Sequence, residues 1–271
     1  MYISLPSDSS SELFPNNTIA AFKVKLPNTL TLDRSKSVVG LTSIEWPHSF
    51  RNITNVDFKL TYNQTESETT YRQRPLRVSI RPGYYQTPQE LVDELNNKLR
   101  QVHIPSEGSD HILNGNQHCY FEFDERTETL SFLTSEDSPA QFQLHMHWKL
   151  YCKLGFALDK SANTWIKTGD KAQYVVDLDA GFSTIYVYCN IIESSRIVGS
   201  MLSPLLRILP IDRKHGEICH FEPRHVEYFP LRYDQVSEIS IELRTDIGEL
   251  LEFQSGKTVV NLHIKTKAFS I

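Results

Sequence analysis

Cysteine is scarce in this 271-residue chain: there are four, Cys119, Cys152, Cys189 and Cys219, each 30 or more residues from the next. With no CxxC pair among them, the four suit free thiols in a reducing compartment better than a zinc site or a disulfide framework. Long apolar runs are missing as well. No stretch approaches the roughly 20 residues of a membrane span, and the opening "MYISLPSDSSSELFPNN" has neither the basic start nor the apolar core of a signal peptide. The N-x-T sequons at Asn16, Asn52 and Asn63 therefore carry little weight, since glycosylation needs a secretory route. An excess of positive charge is also lacking. Net charge is −5, and Lys and Arg are scattered singly, which disfavours nucleic acid as the primary partner. Glycine forms neither GxGxxG nor GxxxxGK[ST], so nucleotide chemistry has no footing, and no GxSxG elbow offers a serine nucleophile.

What the chain does have is apolar material for a core, with 39% hydrophobic residues including 14 Phe and 12 Tyr. Most of it is arranged in a period of two. "AFKVKL" (21–26) alternates Phe22, Val24 and Leu26 against lysines, "SVVGLTSIEW" (37–46) ends at Pro47, and "VDFKLTYN" (56–63) alternates again. Five further strands are expected late in the chain: "QYVVDL" (173–178), "TIYVYCNII" (184–192), "PLLRILPI" (204–211), "SEISIELR" (237–244) and "TVVNLHIK" (258–265). Eight antiparallel strands make the count of a single jelly-roll sandwich, a mainly β fold.

Between the two groups the texture changes. Thr87, Pro88 and Glu90 form an N-cap, a first-turn proline and a capping-box acid, and Leu91, Val92, Leu95, Leu99 and Val102 then fall on one helical face. A hairpin is expected from "CYFEF" and "TLSFL", and "QFQLHMHW" (141–148) alternates before a short helix ended by Gly155. These features predict an inserted α/β module over 76–159, with residues 1–75 and 160–271 forming a discontinuous jelly roll.

Candidate chemistry is thin. His145 and His147 lie two apart on one strand face, a spacing that shares a metal in cupins, but no glutamate follows, and exposed polar positions explain them. Cys189 sits inside a strand and reads as a buried thiol. "DLDAG", with Asp177 and Asp179, lacks the later carboxylates of a calcium loop and reads as a turn. Glu122, Asp124 and Glu125 could likewise form an acid/base or calcium pair. Tyr84-Tyr85 fits either a sugar or peptide site or packing at a helix entry. No catalytic, cofactor-binding or metal residue is assigned, and no cofactor is expected. The balance points to an assembly or interaction protein, with "SDSSSELFPNN" as a polar, mobile arm able to reach a neighbour.

The order of several segments carries a resemblance. "YISLPSDSSSELFPNNTIAAFKVKLPNTLTL" and "VVGLTSIEWPHSFRNI" resemble the opening of the minor capsid, or penton, proteins of Polinton (Maverick) elements and adintovirus-like viruses. "IRPGYYQTPQELVDELNNKL", "LGF", "IYVYCNIIESSRIVG", "PLLRILPI", "FPLRYDQVSEISIELRTDIGELLEF" and "GKTVVNLHIK" follow in the same order, over nearly the whole chain. The chain departs from that pattern at "LDRSKS" (32–37), where a Gly-x-Trp usually starts the strand.

The resemblance implies a single jelly-roll protein without catalysis, made intracellularly and placed in the virion. It would form homopentamers at the five-fold vertices of an icosahedral capsid built mainly of a double jelly-roll major capsid protein. The alternative is a host-attachment module carried on a jelly roll, in which the insertion, through Tyr84-Tyr85 and the polar loop 103–117, binds a glycan or protein receptor.

Overall fold

The computed structural model describes residues 1–54, 56–66, 69–72, 75–104, 113–114, 118–135, 140–158, 164–179 and 182–267. In chain order the first strands are β1 (Tyr2–Pro6), β2 (Ala21–Thr31), β3 (Ser37–Pro47), β4 (Asp57–Glu66), β5 (Thr69–Arg72) and β6 (Leu76–Ser79). Helix α1 (Pro88–Arg100) precedes β7 (His103–Ile104), β8 (Leu113–Asn114), β9 (Cys119–Asp124), β10 (Thr129–Thr134) and β11 (Ala140–Met146). Helix α2 (Trp148–Lys153), β12 (Trp165–Lys167), β13 (Thr184–Cys189), β14 (Arg196–Val198), β15 (Met201–Ser203) and β16 (Leu205–Pro210) follow. The last strands are β17 (Ile218–Phe221), β18 (Tyr228–Pro230), β19 (Gln235–Arg244) and β20 (Val259–Thr266).

Two compact units result, Met1–Phe50 with Phe182–Ile271, and Arg51–Gly181. The insertion is therefore wider than the sequence pattern suggests, opening near residue 51 instead of 76 and closing near 181 instead of 159. The difference turns on β4, expected in the sandwich. It pairs antiparallel with β11, β5 and β6, all in the inserted unit, because alternation marks which face is buried without saying in which sheet.

In the first unit one sheet runs β1–β20–β3, with β17 and β18 sharing the far edge of β3, and the other runs β16–β13–β19–β2. Every pairing is antiparallel. Counting β17 and β18 as one broken strand, the chain fills eight positions in the order sheet one, two, one, two, two, one, two, one. That is the winding of a jelly roll. Each sheet contributes its alternate side chains to one core, including Phe22, Val24, Ile185, Val187, Ile239 and Ile241 from one side and Ile44, Trp46, Val260 and Leu262 from the other.

Two of the eight jelly-roll strands are not those expected. Residues 173–178 form no strand; their backbone N–H groups go singly to Gly155, Glu128 and Lys153, in the inserted unit. In place of this segment and β4, the sandwich uses β1 and the β17/β18 edge. The polar stretch after β1 is not a free arm either. Ser10 and Asn17 accept the outward-facing N–H groups of Lys25 and Lys23 at 3.1 and 2.9 Å, so the β1–β2 connection covers the open edge of β2.

The turn at 32–36 replaces the missing Gly-x-Trp with an aspartate. Asp33 accepts the Ser35 N–H at 3.0 Å and its hydroxyl at 2.5 Å, and faces Lys36 at 3.1 Å. Those hydrogen bonds, Ser35 first, hold its carboxyl down to about 2.

In the inserted unit, α1 buries Leu91, Val92, Leu95 and Leu99, as its period demands. Thr87 accepts the Glu90 N–H, and the Glu90 carboxylate takes the N–H of Gln86 at 2.7 Å, so the capping box closes one residue upstream of the cap. Asn96 reaches from α1 to both backbone groups of Phe121, fixing the helix on the β9–β10 hairpin. Trp148, the last residue of the alternating "QFQLHMHW", opens α2 and is exposed instead of continuing the strand.

Candidate functional site

The connection between β13 and β16 is a finger on the jelly roll. Its root is fixed by the backbone: Glu193 N–H donates to Pro230 O at 3.0 Å and Arg232 N–H to Ile191 O at 2.8 Å, around an Ile192–Leu231 bridge. From there β14 and β15 pair as a hairpin with Val198 opposite Met201, and Gly199 turns the chain at φ 61°. Positive φ strains a side-chain-bearing residue, and glycine has no Cβ to object.

The tip of the finger is apolar. Ile197, Met201 and Leu202 are 74%, 70% and 63% exposed, with no charged residue between Ile197 and Leu202. At its base Arg196 pairs with Glu227 and lays its guanidinium 4.8 Å from the Phe229 ring, while Arg207 reaches the other Glu227 oxygen at 3.2 Å. Such half-exposed pairs contribute little to stability, but two arginines on one carboxylate fix the angle at which the tip leaves the sheet. An exposed apolar tip of this kind is suited to entering an apolar recess.

The residues singled out by sequence are not brought together. His145 points outward from β11 with its ring 4.9 Å from Trp165, whereas His147 caps α2, its Nδ1 accepting the Lys149 N–H at 3.3 Å. Burial, then Lys59, pushes the His145 imidazole below its usual range. Among the described residues no group of three or more His, Cys, Asp and Glu could hold a metal ion. Asp177 accepts the Asp179 N–H at 3.1 Å, an aspartate turn; Ala180 and Gly181 of "DLDAG" lie outside the described residues. Asp124 accepts from Arg126 N–H and the Thr127 hydroxyl, which closes the β9–β10 turn and lowers its carboxyl. Glu122 stays in β9, and Glu125 falls in that turn.

Tyr85 is a packing residue. Its hydroxyl donates to Arg81 O at 2.8 Å, its backbone exchanges two bonds with the Asn52 carboxamide, and burial pushes its phenol up to about 12. Asn52 is only 8% exposed, so its sequon is closed to modification in the folded chain. Most of the polar loop 103–117 lies outside the described residues, as does the Asn63 side chain.

None of the four cysteines is in a disulfide. Burial pushes the Cys119 and Cys189 thiols up to about 12 and Cys219 up to about 11. Iodoacetamide at pH 8 is therefore expected to add at most one label to the native chain, at half-buried Cys152, and four after denaturation; intact-mass measurement reads the count. Rapid labelling of Cys189 would contradict its place in the core.

Among the described residues no helix is long and apolar enough to cross a membrane. No protein-family model matches the chain, and no curated protein does. A solved structure of the mavirus penton protein is similar at a TM-score of 0.47 and 11% identity, covering 98% of this chain and all of that one. The sequence reading missed the Arg196–Glu227–Arg207 clamp, for which adjacent residues carry no signal. The tip's own signal is local: "IVGSML" sets apolar residues around a turn where no core strand continues.

Proposed function

We propose that this chain is a structural minor capsid protein, a penton, whose jelly roll assembles into homopentamers at the vertices of an icosahedral shell. The observation that carries this reading is the jelly roll's exposed apolar finger, held at a fixed angle by Arg196, Glu227 and Arg207. A ring forms when one patch meets a different patch on the next copy and the rotation closes, and a protruding tip serves such a head-to-tail contact. The ordered resemblance of segments to Polinton and adintovirus-like minor capsid proteins supports the same reading, and supplies the double jelly-roll major capsid protein as the second partner.

Each ring contact should bury roughly 800 Å² per partner, with the finger at its apolar centre. Light scattering of the purified chain across salt and pH is expected to show a pentamer, and electron microscopy of particles co-expressed with the major capsid protein should place it at vertices. A monomer under every condition, with no copies in the particles, would sink the reading.

A further inference from the structure

The inserted unit carries a second surface, on the outward side of the sheet ordered β12–β11–β4, with β6 and β5 on the far side of β4. Its inner side is apolar, with Phe58, Leu60, Leu144, Ile166 and Val78 in the core. Strand register then dictates what lies opposite on the outside. Trp165 stands beside His145, His145 beside Lys59, and Lys59 beside Arg77, one row crossing four strands. In the neighbouring row Lys167 stands beside Gln143. Lys59, Arg77 and Lys167 are exposed, while His145 and Trp165 are half-buried with their rings in contact.

This row runs against the ordinary rules of sheet pairing. Like charges directly opposite one another destabilise a sheet, and here Arg77 and Lys59 are partners, with a titratable imidazole next in line. Among the described residues, two carboxylates on or beside this face are engaged elsewhere: Asp57 accepts the Ser79 hydroxyl, and Asp170 accepts the Lys167 backbone N–H at 2.8 Å. Among the described residues no carboxylate lies within 4 Å of the Lys59, Arg77 or Lys167 head groups. Charge that the chain does not compensate internally is charge available to an anionic partner.

We propose that this face binds a sulfated or carboxylated oligosaccharide. Neighbouring strands stand about 4.8 Å apart, so Lys59 and Arg77 stand at close to the length of one pyranose ring. An extended acidic peptide presents same-side carboxylates every two residues, about 6.6 Å apart, and matches the row less well. The indole of Trp165 closes the row with a flat apolar surface, suited to the C–H face of a sugar. Gln143 and His145 supply polar contacts between the charges. The site does not depend on the capsid reading, since it lies wholly within the inserted unit.

The test is calorimetric titration of the full chain with a heparin-derived hexasaccharide at low salt, where exposed charges are least screened. Binding is expected, and the Lys59→Gln/Arg77→Gln variant should raise Kd at least tenfold. A control of equal charge change on the jelly roll, Arg34→Gln/Lys257→Gln, should leave Kd unchanged. Trp165→Leu should weaken binding severalfold, and the hexasaccharide stripped of its sulfates should bind poorly. Thermal melts verify folding, and removing the Arg77–Lys59 opposition should lower no melting temperature. The proposal is overturned if the hexasaccharide does not bind, if both double variants lose affinity alike, or if its desulfated form binds equally well. It is also overturned if a polyglutamate peptide of the same charge binds the native chain more tightly, which would make an acidic protein the partner.

Discussion

Light scattering is expected to show a pentamer for the native chain and a monomer for an Ile197→Glu/Met201→Glu variant. The two side chains stand at the exposed finger tip, away from the jelly-roll core, so the monomer should melt within a degree or two of the native subunit. At a subunit contact each glutamate would be desolvated without a partner, at a penalty of several kcal/mol per ion. A loss of about 4 kcal/mol corresponds to a thousandfold weaker contact, and it recurs at every contact of a ring. Serine at both positions should act in the same direction with a smaller effect. If the glutamate variant still forms pentamers, the finger is not the ring contact.

Gly155→Ala is expected to destabilise the inserted unit by about 3–5 kcal/mol, the sum of backbone strain and overpacking. Gly155 ends α2 at φ +83°, and a Cβ there would stand 2.2 Å from the Tyr174 carbonyl oxygen. The two segments cannot separate cheaply. Tyr174 N–H donates to Gly155 O at 2.9 Å, and the following residues bond to Glu128 and Lys153 through Val176 and Asp177. Gly169, at φ +93° with nothing within 4 Å of its would-be Cβ, provides the comparison: alanine there should incur only the strain, about 1–2 kcal/mol. Hydrogen exchange separates the outcomes by location. Amides of α1 and β9 should lose protection in Gly155→Ala, while those of Ile239–Leu243 in β19 should keep theirs. Equal loss in both units would show that the two do not unfold separately.

Much of the sandwich was legible because alternation is strong in β2, β13, β19 and β20, where each inward residue is aliphatic, aromatic or Cys189. The α1 helix was equally plain, since cap, proline and apolar stripe agree. Where the reading slipped, the local signal was weak or misleading. The β17/β18 edge is short, exposes Ile218, and is interrupted by Pro223, while β1 is five residues ending in proline. The run "YVV" at 174–176 has strand composition, yet Tyr174 and Val175 face solvent and Val176 packs on the inserted unit.

The functional surfaces divide the same way. The finger's apolar tip lies within one short segment and could be read there. Its clamp needs Glu227 from the far side of β16, and the basic row needs the register that puts Arg77 against Lys59. Both are products of pairing, which alternation leaves open.

Phe50 and Phe182, the residues at which the jelly roll hands the chain to the insertion and takes it back, hold their rings edge-on at 5.4 Å. The gateway is thus one residue wide on each side and closed by the host's own aromatic contact. A short bridge between the two would restore a plain strand-to-strand turn without moving any of the eight paired positions. The sandwich is in that sense a socket, and its 131-residue cargo, Arg51–Gly181, can be exchanged for another as one piece of coding sequence. The two units are then free to evolve at different rates.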